Sequence, residues 1–216
     1  MKLARPDVFH PRIVLAGCRQ HPDDAGLVSA LRTRGLHARR LEWDDPETVG
    51  ADLVILRQTA DADRRDEFLA WTRRVKNLLN PPAVVAWNLD ARYLDDIEKA
   101  GVPTLPGAPA QSVLIFFGGQ PSHAWPVEPE FETWELGHAA MAAAAGRADI
   151  RTSELLYARV DVSDARVTAL DVVAPSLGWG QLDAGARELA QRAFALAVES
   201  ACERLGLGPF SQPFSH

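Results

Sequence analysis

The first hundred residues alternate short, continuous apolar runs with segments whose apolar residues recur at helical spacing. This alternation constrains the fold more than any other feature, because continuous apolar runs predict parallel strands that are covered on both faces. The predicted strands are residues 12–17, 36–43, 51–56, 83–87 and 101–105, and the predicted helices are residues 24–34, 64–79 and 90–100. Strand and helix in this succession predict a small, open, doubly wound parallel sheet of the Rossmann-like type.

Residues 106–111 read PGAPAQ and form a stiff joint, which predicts a boundary between a domain at 1–106 and a second domain at 107–216. The second half predicts an antiparallel α+β unit. Its predicted strands are residues 112–117, 120–127, 156–163 and 167–173, and its predicted helices are residues 134–145 and 184–205. The tail at 206–216 is rich in proline and glycine, and we expect it to be irregular. The chain is thus predicted to be an α/β protein.

Composition excludes several functions. The 216 residues carry a net charge of -6 without a block of lysine and arginine, which argues against a nucleic-acid partner. The longest apolar runs are too short for a bilayer span and the N-terminus lacks a signal-peptide core, so we expect a cytoplasmic protein without membrane attachment. Cys18 and Cys202 are far apart in sequence, which predicts neither a zinc site nor a disulfide framework.

Residues 155–179 read as two strands around a tight turn, and they carry the candidate chemistry. Arg159 and Asp161 are two positions apart on the first strand and therefore share one face, and Asp171 lies on the return strand within reach. A guanidinium beside carboxylates suits recognition of a small carboxylate. A structural ion pair on a half-exposed sheet explains the same residues equally well.

Further candidates come from the parallel sheet and from the strand at 120–127. Cys18, Arg57 and Asn88 follow predicted strands at their carboxyl ends, where open parallel sheets collect ligands. For Cys18, a buried, inert thiol is the commoner role. His123 could act as an acid or base, although a lone strand histidine is more often packed in the core. No glycine-rich dinucleotide or P-loop motif follows the first strand.

Ten short stretches are informative when they are taken together, in their order along the chain. They are WDDP at 43–46, DLVILR at 52–57, DEFLAW at 66–71, NP at 80–81, VVAWN at 84–88, RYL at 92–94, AGVP at 100–103, GG at 118–119 with SHA at 122–124, LYARVD at 156–161 and PSL at 175–177. None is diagnostic alone. Together they resemble ATP-grasp proteins of the glutathione-synthetase-like, RimK-like group of actinobacterial type, and the resemblance extends from end to end.

The resemblance implies a preliminary αβ domain, a small lobe with a phosphate-binding lysine, and a larger lobe with acidic metal ligands. This sequence departs from that pattern. The joint at 106–111 stands where the small lobe should be, Ala91 replaces the lysine, and only Asp171 remains of three acids, because Ala169 and Ala174 stand at the other two positions. Mg²⁺ is usually held by carboxylates together with substrate phosphates. We therefore predict a truncated, degenerate ATP-grasp protein that has no metal site, needs no cofactor and is not an ATP-dependent ligase by itself.

The first functional hypothesis is an ATP-independent enzyme of specialised metabolism. It would bind an amino-acid-like or peptide-like carboxylate in the relict substrate pocket and carry out an elimination, isomerisation or cyclisation. The candidate catalytic residues are Arg159, Asp161, Asp171 and His123. The candidate substrate-binding residues are Arg57, Asn88, Ser176 and Cys18. Arg159 matches the position that faces the reacting carboxyl or phosphate in the family that the chain resembles.

Two alternatives stay open. The chain could be a non-catalytic pseudoenzyme, a scaffold or a metabolite-binding partner, and it could form a homodimer through the helix at 134–145 or the long C-terminal helix. It could also be an ATP-dependent carboxylate-amine ligase whose nucleotide lobe comes from another chain. Binding of a magnesium nucleotide would favour this last alternative.

Overall fold

Two four-stranded sheets and six α-helices form the part of the chain that the computed structural model describes, residues 9–17 and 24–208. The elements are β1 (Ile13–Ala16), α1 (Leu27–Thr33), β2 (Ala38–Leu41), β3 (Leu53–Leu56), α2 (Arg65–Thr72), β4 (Leu78–Leu79), α3 (Pro82–Asn88), α4 (Tyr93–Lys99), β5 (Ser112–Phe117), β6 (Gln120–Trp125), α5 (Phe131–Gly146), β7 (Tyr157–Ser163), β8 (Arg166–Asp171) and α6 (Ala184–Arg204). The α/β prediction, with a parallel sheet followed by an antiparallel one, is confirmed.

The first sheet is parallel throughout, in the order β2-β1-β3-β4. Its central strands β1 and β3 are buried at every position, as their continuous apolar sequences predict. Residues 14 and 54 face α2, where the aromatic side chains of Phe68 and Trp71 pack. Residues 13 and 53 face α1 and α6 on the opposite side. Helices therefore cover both faces of the sheet.

The second sheet is antiparallel throughout, in the order β6-β5-β7-β8. Its two faces meet different partners. Leu114, Phe116 and Val160 pack against α5 and the α3–α4 region. Ile115 and Tyr157 on the other face join β1, β3 and α6 in a core that the two sheets share. The proposed division into domains 1–106 and 107–216 therefore stays a prediction, since one core contains residues from both.

Two predicted strands were wrong. Residues 83–87 form helix α3, because Pro82 occupies its first turn, where a missing backbone N–H costs nothing. The fourth strand is instead the two-residue β4, which was predicted to be the end of a helix that actually stops at Thr72. Residues 101–105 contribute only a single bridge, between Thr104 and Val167 of the second sheet. From α4 the chain runs through residues 100–111 directly into β5.

Buried polar side chains connect the two sheets. The Asn80 amide accepts from Leu156 N at 2.6 Å and donates to Tyr157 O at 3.0 Å and Val172 O at 2.8 Å. The Tyr157 hydroxyl donates to Leu56 O at 2.6 Å, and Val173 O is a second acceptor within reach, 2.8 Å from the same hydroxyl oxygen. Because buried backbone groups must be paired, these bonds determine how β7 and β8 sit against the end of the parallel sheet.

Within the described residues, no helix combines the length and the apolar character needed to cross a bilayer.

Candidate functional site

A pocket of about 220 Å³ lies on one face of the β7–β8 pair, lined by Arg159, Asp161, Ala169 and Asp171. The strand register explains this grouping. Arg159 is directly opposite Asp171, and Asp161 is directly opposite Ala169. Tyr157 lies on the same face but is fully buried in the shared core. The parallel sheet and α6 therefore cover this face of β7 at Tyr157, and the pocket begins at the next residue on the same face, Arg159.

Arg159 and Asp161 form a bidentate ion pair within the pocket. Arg159 Nε donates to Asp161 Oδ1 at 2.7 Å, and Nη2 donates to Oδ2 at 2.9 Å. The two side chains are 28% and 16% exposed, so solvent reaches the pair. The guanidinium carbon also lies 5.7 Å from the centre of the Trp125 ring, a cation–π contact that orients Arg159. The predicted proximity of Arg159, Asp161 and Asp171 is what the structure shows.

Asp171 accepts two backbone hydrogen bonds on a single oxygen. Val173 N donates to Oδ1 at 2.8 Å and Ala174 N donates to Oδ1 at 3.1 Å. Burial raises the pKa of the Asp171 carboxyl, and the two backbone donors and the cations Arg57 and Arg159 oppose the rise only in part. A carboxyl group with a raised pKa that lines a pocket beside a guanidinium is suited to proton transfer.

Arg57 lies outside this pocket, in a separate buried network at the carboxyl end of β3. It is 2% exposed. Its Nε donates to Asp24 Oδ1 at 2.7 Å and its Nη2 donates to Pro175 O at 2.9 Å, and Arg40 Nη1 donates to Asp24 Oδ2 at 2.6 Å. Sequence reasoning missed Asp24, because one acid at a predicted helix start carries no signal of burial. Arg57 thus joins β3 to the loop after β8.

The structure places His123 in an aromatic cluster rather than in the pocket. Its ring stacks on Trp179 with centroids 5.7 Å apart, and its two nitrogens lie 2.9 Å from Ser122 Oγ and 2.8 Å from Leu177 O. The second contact requires Nε2–H, so Nδ1 accepts from the serine hydroxyl in the neutral ring. Burial lowers the pKa of His123. A catalytic role for His123 stays a prediction that this placement does not favour.

The remaining candidates are dispersed. Asn88 ends α3 instead of following a strand, and its amide donates to Leu170 O at 2.9 Å and accepts from Val172 N at 3.0 Å. Ser176 is partly exposed in the loop after β8. Cys18 lies outside the described residues. The structure brings together three of the eight predicted site residues, Arg159, Asp161 and Asp171.

We expect acid to destabilise the fold through His123. The unfolded imidazole binds a proton with a pKa of about 6.5, whereas burial lowers the folded value, so stability is lost as pH falls below about 6.5. The loss should reach at most about 1.4 kcal/mol per pH unit, the value for one proton. Urea unfolding of wild type and His123→Gln between pH 5 and 8 measures it. If the free energies of unfolding of wild type and His123→Gln change equally with pH, His123 is not the cause of the acid sensitivity.

Gly178 holds the loop after β8 against Trp125. It has φ of 65°, and an added Cβ would lie 2.4 Å from the Trp125 ring. Gly178→Ala should therefore displace Trp125 and disturb its contact with Arg159, and we expect a loss of about 1–3 kcal/mol, as is typical of strained backbone positions. Thermal unfolding and Trp fluorescence measure both effects. Gly180→Ala is the matched control, because no atom lies within 4 Å of a Cβ built there. Equal behaviour of the two variants would contradict this packing.

Comparison with known proteins supports the fold. Residues 13–80 match the family described as D-cycloserine synthetase DcsG, N-terminal domain. The cycloserine biosynthesis protein DcsG of Streptomyces lavendulae is 37% identical over 86 residues, which are 37% of this chain and 29% of that protein. The chain thus aligns in sequence with less than a third of that relative's length.

Solved structures match over most of the chain. The crystal structure of D-cycloserine synthetase DcsG superposes with a TM-score of 0.69 and 22% identity, over 89% of this chain and 99% of that chain. The ATP-grasp ligase PsnB, complexed with minimal precursor, Mg and ADP, superposes with a TM-score of 0.57 and 16% sequence identity, over 86% of this chain and 98% of that chain. A RimK domain ATP-grasp protein from Sphaerobacter thermophilus superposes with a TM-score of 0.59 and 13% sequence identity, over 86% of this chain and 99% of that chain. The chain therefore has an ATP-grasp-like fold.

Proposed function

We propose that this chain is an ATP-independent enzyme of specialised metabolism that acts on a small amino-acid-like or peptide-like carboxylate in the β7–β8 pocket. One observation carries the proposal. The pocket places the Arg159 guanidinium opposite Asp171, a carboxyl whose pKa is raised by burial. Relatives fit this substrate class, since DcsG is named for cycloserine biosynthesis and PsnB was solved with a precursor.

The charges in the pocket suit a zwitterion. Arg159 is the cation, and a bound carboxylate would share it with Asp161 through charge-assisted hydrogen bonds. Both backbone donors to Asp171 bind Oδ1, which makes Oδ2 the oxygen to face an ammonium group or a carbon-bound proton. Asp171 would act as the general base that removes a proton next to the substrate carboxylate and then return it as an acid. An isomerisation at the carbon next to the carboxylate needs no more than this transfer, whereas an elimination also expels a leaving group with its electron pair from the neighbouring carbon, and a cyclisation also needs a nucleophile within the substrate that displaces such a group.

The described residues do not fit a magnesium nucleotide. Ala169 lines the pocket at a position where the resemblance implies an acid, and Ala174 stands at another. Of the two carboxylates that line the pocket, Asp161 pairs with Arg159, and Asp171 accepts two backbone hydrogen bonds. Mg²⁺ usually needs carboxylates together with phosphates. These features support ATP-independence.

Native mass spectrometry of protein purified from its host tests the proposal. We expect a small carboxylate to travel with the wild type and to be absent from Arg159→Met. Arg151→Met is the matched control, since Arg151 forms an exposed pair with Glu154 away from the pocket. Equal occupancy in wild type and Arg159→Met would contradict the proposal, and so would a bound nucleotide in place of the carboxylate.

We expect Asp171→Asn to abolish turnover and to stabilise the fold at neutral pH. Because the folded pKa of Asp171 is raised, its contribution to stability is present at low pH and is lost as pH rises through that value. Asparagine keeps the Oδ1 acceptor without the charge. The gain should be about 1 kcal/mol, or ~2–4 °C in Tm, at pH 7.5 and should vanish at pH 3. Thermal melts at both pH values measure it, and a lower Tm at pH 7.5 would contradict it.

One observation favours a second candidate, a non-catalytic metabolite-binding protein. Arg159 and Asp161 pair with each other at a partly exposed surface, as structural ion pairs do. Incubation of the purified protein with its co-purified molecule distinguishes the two candidate functions. An enzyme converts the molecule, whereas a binding protein releases it unchanged. Conversion that persists in Asp171→Asn would exclude Asp171 as the acid–base group.

We also propose that a second copy packs on α6. The Ala-rich face of α5 is buried against its own sheet, which leaves α6 of the two predicted dimer helices. Leu189 and Leu196 lie seven residues apart on α6 and are 68% and 42% exposed. Sedimentation of wild type and Leu189→Glu tests the interface, and we expect a dimer that dissociates in the variant. A monomeric wild type would contradict it.

A further inference from the structure

The lining of the β7–β8 pocket carries more carboxyl groups than cations. Its four lining residues supply one guanidinium, that of Arg159, the two carboxyl groups of Asp161 and Asp171, and the methyl group of Ala169. The lining therefore has no surplus positive charge, whether or not Asp171 is ionised. A ligand with one carboxylate and one ammonium group matches this balance, whereas a second anionic group would find no cation of its own among the lining residues.

Asp161 is the residue that neutralises the guanidinium. Both of its oxygens accept from Arg159, Oδ1 from Nε at 2.7 Å and Oδ2 from Nη2 at 2.9 Å. The Asp161 side chain is 16% exposed, so water screens its charge only in part. Arg57, the guanidinium that joins β3 to the loop after β8, lies outside the pocket and is paired with Asp24. An anion that enters the pocket thus meets the field of an ion pair and not that of an isolated cation.

Ala169 brings the open space of the pocket next to the Asp161 carboxylate. It is directly opposite Asp161 in the strand register, as Arg159 is directly opposite Asp171. Residues directly opposite each other in an antiparallel pair have Cβ atoms about 4.5–5.5 Å apart. The Ala169 methyl group fills little of its side of the pocket. The part of a ligand that extends from the Arg159–Asp171 pair toward Ala169 therefore lies beside Asp161.

We propose that Asp161 is a specificity-determining residue of the β7–β8 pocket, which admits small zwitterions with an uncharged side chain and rejects molecules that carry a second anionic group. The inference rests on the proposed function, whose substrate class it narrows. The ligand carboxylate would share Arg159 with Asp161, and the ligand ammonium group would face Asp171. A second carboxylate or a phosphate would then extend toward Ala169 and lie beside Asp161. Repulsion between these like charges lowers affinity without any change in the shape of the ligand.

Two amino acids of nearly the same shape test the inference. Asparagine and aspartate differ by one side-chain charge, and both enantiomers of each serve as calorimetric probes of the full chain at pH 7.5 and low salt. We expect the wild type to bind the preferred enantiomer of asparagine about tenfold more tightly than that of aspartate. In Asp161→Asn the ratio should fall to about threefold or less, because the amide keeps an acceptor for Arg159 without the charge.

Two further variants control for charge and for binding at this pocket. Asp44→Asn removes one carboxylate from an exposed ion pair with Arg64, outside the pocket, and should keep the ratio of the wild type. Arg159→Met should abolish binding of both amino acids, because the lining then lacks its cation. A ratio that falls in Asp161→Asn but not in Asp44→Asn thus reports the local charge and not the net charge of the chain.

Salt provides a second readout, which a change in packing would not move and which needs no variant. Repulsion between partly exposed charges is screened by salt, so the ratio for the wild type should fall at least about twofold between about 0.05 M and about 0.5 M sodium chloride. The attraction of the carboxylate and ammonium groups that both amino acids share weakens equally for both and cancels in the ratio. In Asp161→Asn the ratio should be nearly independent of salt.

A wild-type preference for asparagine that both Asp161→Asn and salt reduce supports the inference. Equal affinity for the two amino acids, a preference for aspartate, or a preference for asparagine that the variant or salt leaves unchanged overturns it. The proposed function then stays intact, provided that Arg159→Met still fails to bind. If Asp161→Asn binds neither amino acid, the salt dependence of the wild type alone decides. If neither amino acid binds the wild type, the proposed amino-acid pocket fails and the role of Asp161 fails with it.

Discussion

Replacing Asn80 with alanine is expected to unfold most of the protein or to lower its Tm by more than 10 °C. Asn80 is fully buried, and its amide pairs with three backbone groups, Leu156 N, Tyr157 O and Val172 O. A buried backbone group that loses its partner costs about 1–3 kcal/mol. Three such losses together, about 3–9 kcal/mol, approach the whole stability of an ordinary domain, and each kcal/mol is worth ~2–4 °C at this size.

Urea unfolding followed by circular dichroism measures this loss. The matched control is Asn77→Ala, which removes one partly buried hydrogen bond, from Asn77 Nδ2 to Asp52 O at 2.9 Å. The control should lose about 1 kcal/mol. If Asn80→Ala lost no more than the control, the view that Asn80 holds the second sheet against the end of the parallel sheet would be wrong.

Arg57→Met should produce the second large loss, about 3–5 kcal/mol, which is typical when one member of a buried ion pair is removed. Asp24 is fully buried and, among residues 9–17 and 24–208, would keep only Arg40 as an ion-pair partner. The bond from Arg57 Nη2 to Pro175 O would also be lost, which frees the loop that follows β8. Denaturant unfolding at pH 7 gives the size of the effect.

A double variant distinguishes the destabilising effect of an unpaired buried charge from the effect of lost packing. In Asp24→Asn/Arg57→Met the buried charge is gone, so the double variant should recover at least half of the stability that Arg57→Met loses. Arg39→Met, which breaks an exposed pair with Glu47, should change stability by less than about 1 kcal/mol. A double variant as unstable as Arg57→Met would show that the charge of Asp24 is not the cause.

The parts of the fold that sequence predicted are those in which local pattern and tertiary environment agree. The buried runs of β1 and β3 and the alternating β7–β8 hairpin need no distant information. The register that aligns Arg159 with Asp171 depends in addition on an irregularity in the pairing between Asp161 and Val162, which simple alternation from the turn does not predict. The grouping of Arg159, Asp161 and Asp171 was predictable only as proximity across one hairpin, because these residues are close in sequence.

What sequence could not predict depends on distant partners. Residues 83–87 read AVVAW and suit a strand, yet Pro82 starts a helix there, and Asn88 at the end of that helix pairs with β8. Asp24 carries no motif, since its role arises from Arg57, which is 33 positions away. Long-range pairing of this kind leaves no local pattern.

We propose that a guanidinium-and-carboxylate pocket on an ATP-grasp-like fold binds a small carboxylate without a nucleotide. A titration of ¹⁵N-labelled protein, first with serine and then with Mg-ATP, tests it most directly. We expect serine to shift the backbone amide signals of residues 159–161 and 169–174, Arg159→Met to abolish these shifts, and Mg-ATP to cause none. Shifts of residues 169–174 with Mg-ATP, and none with serine, would contradict it.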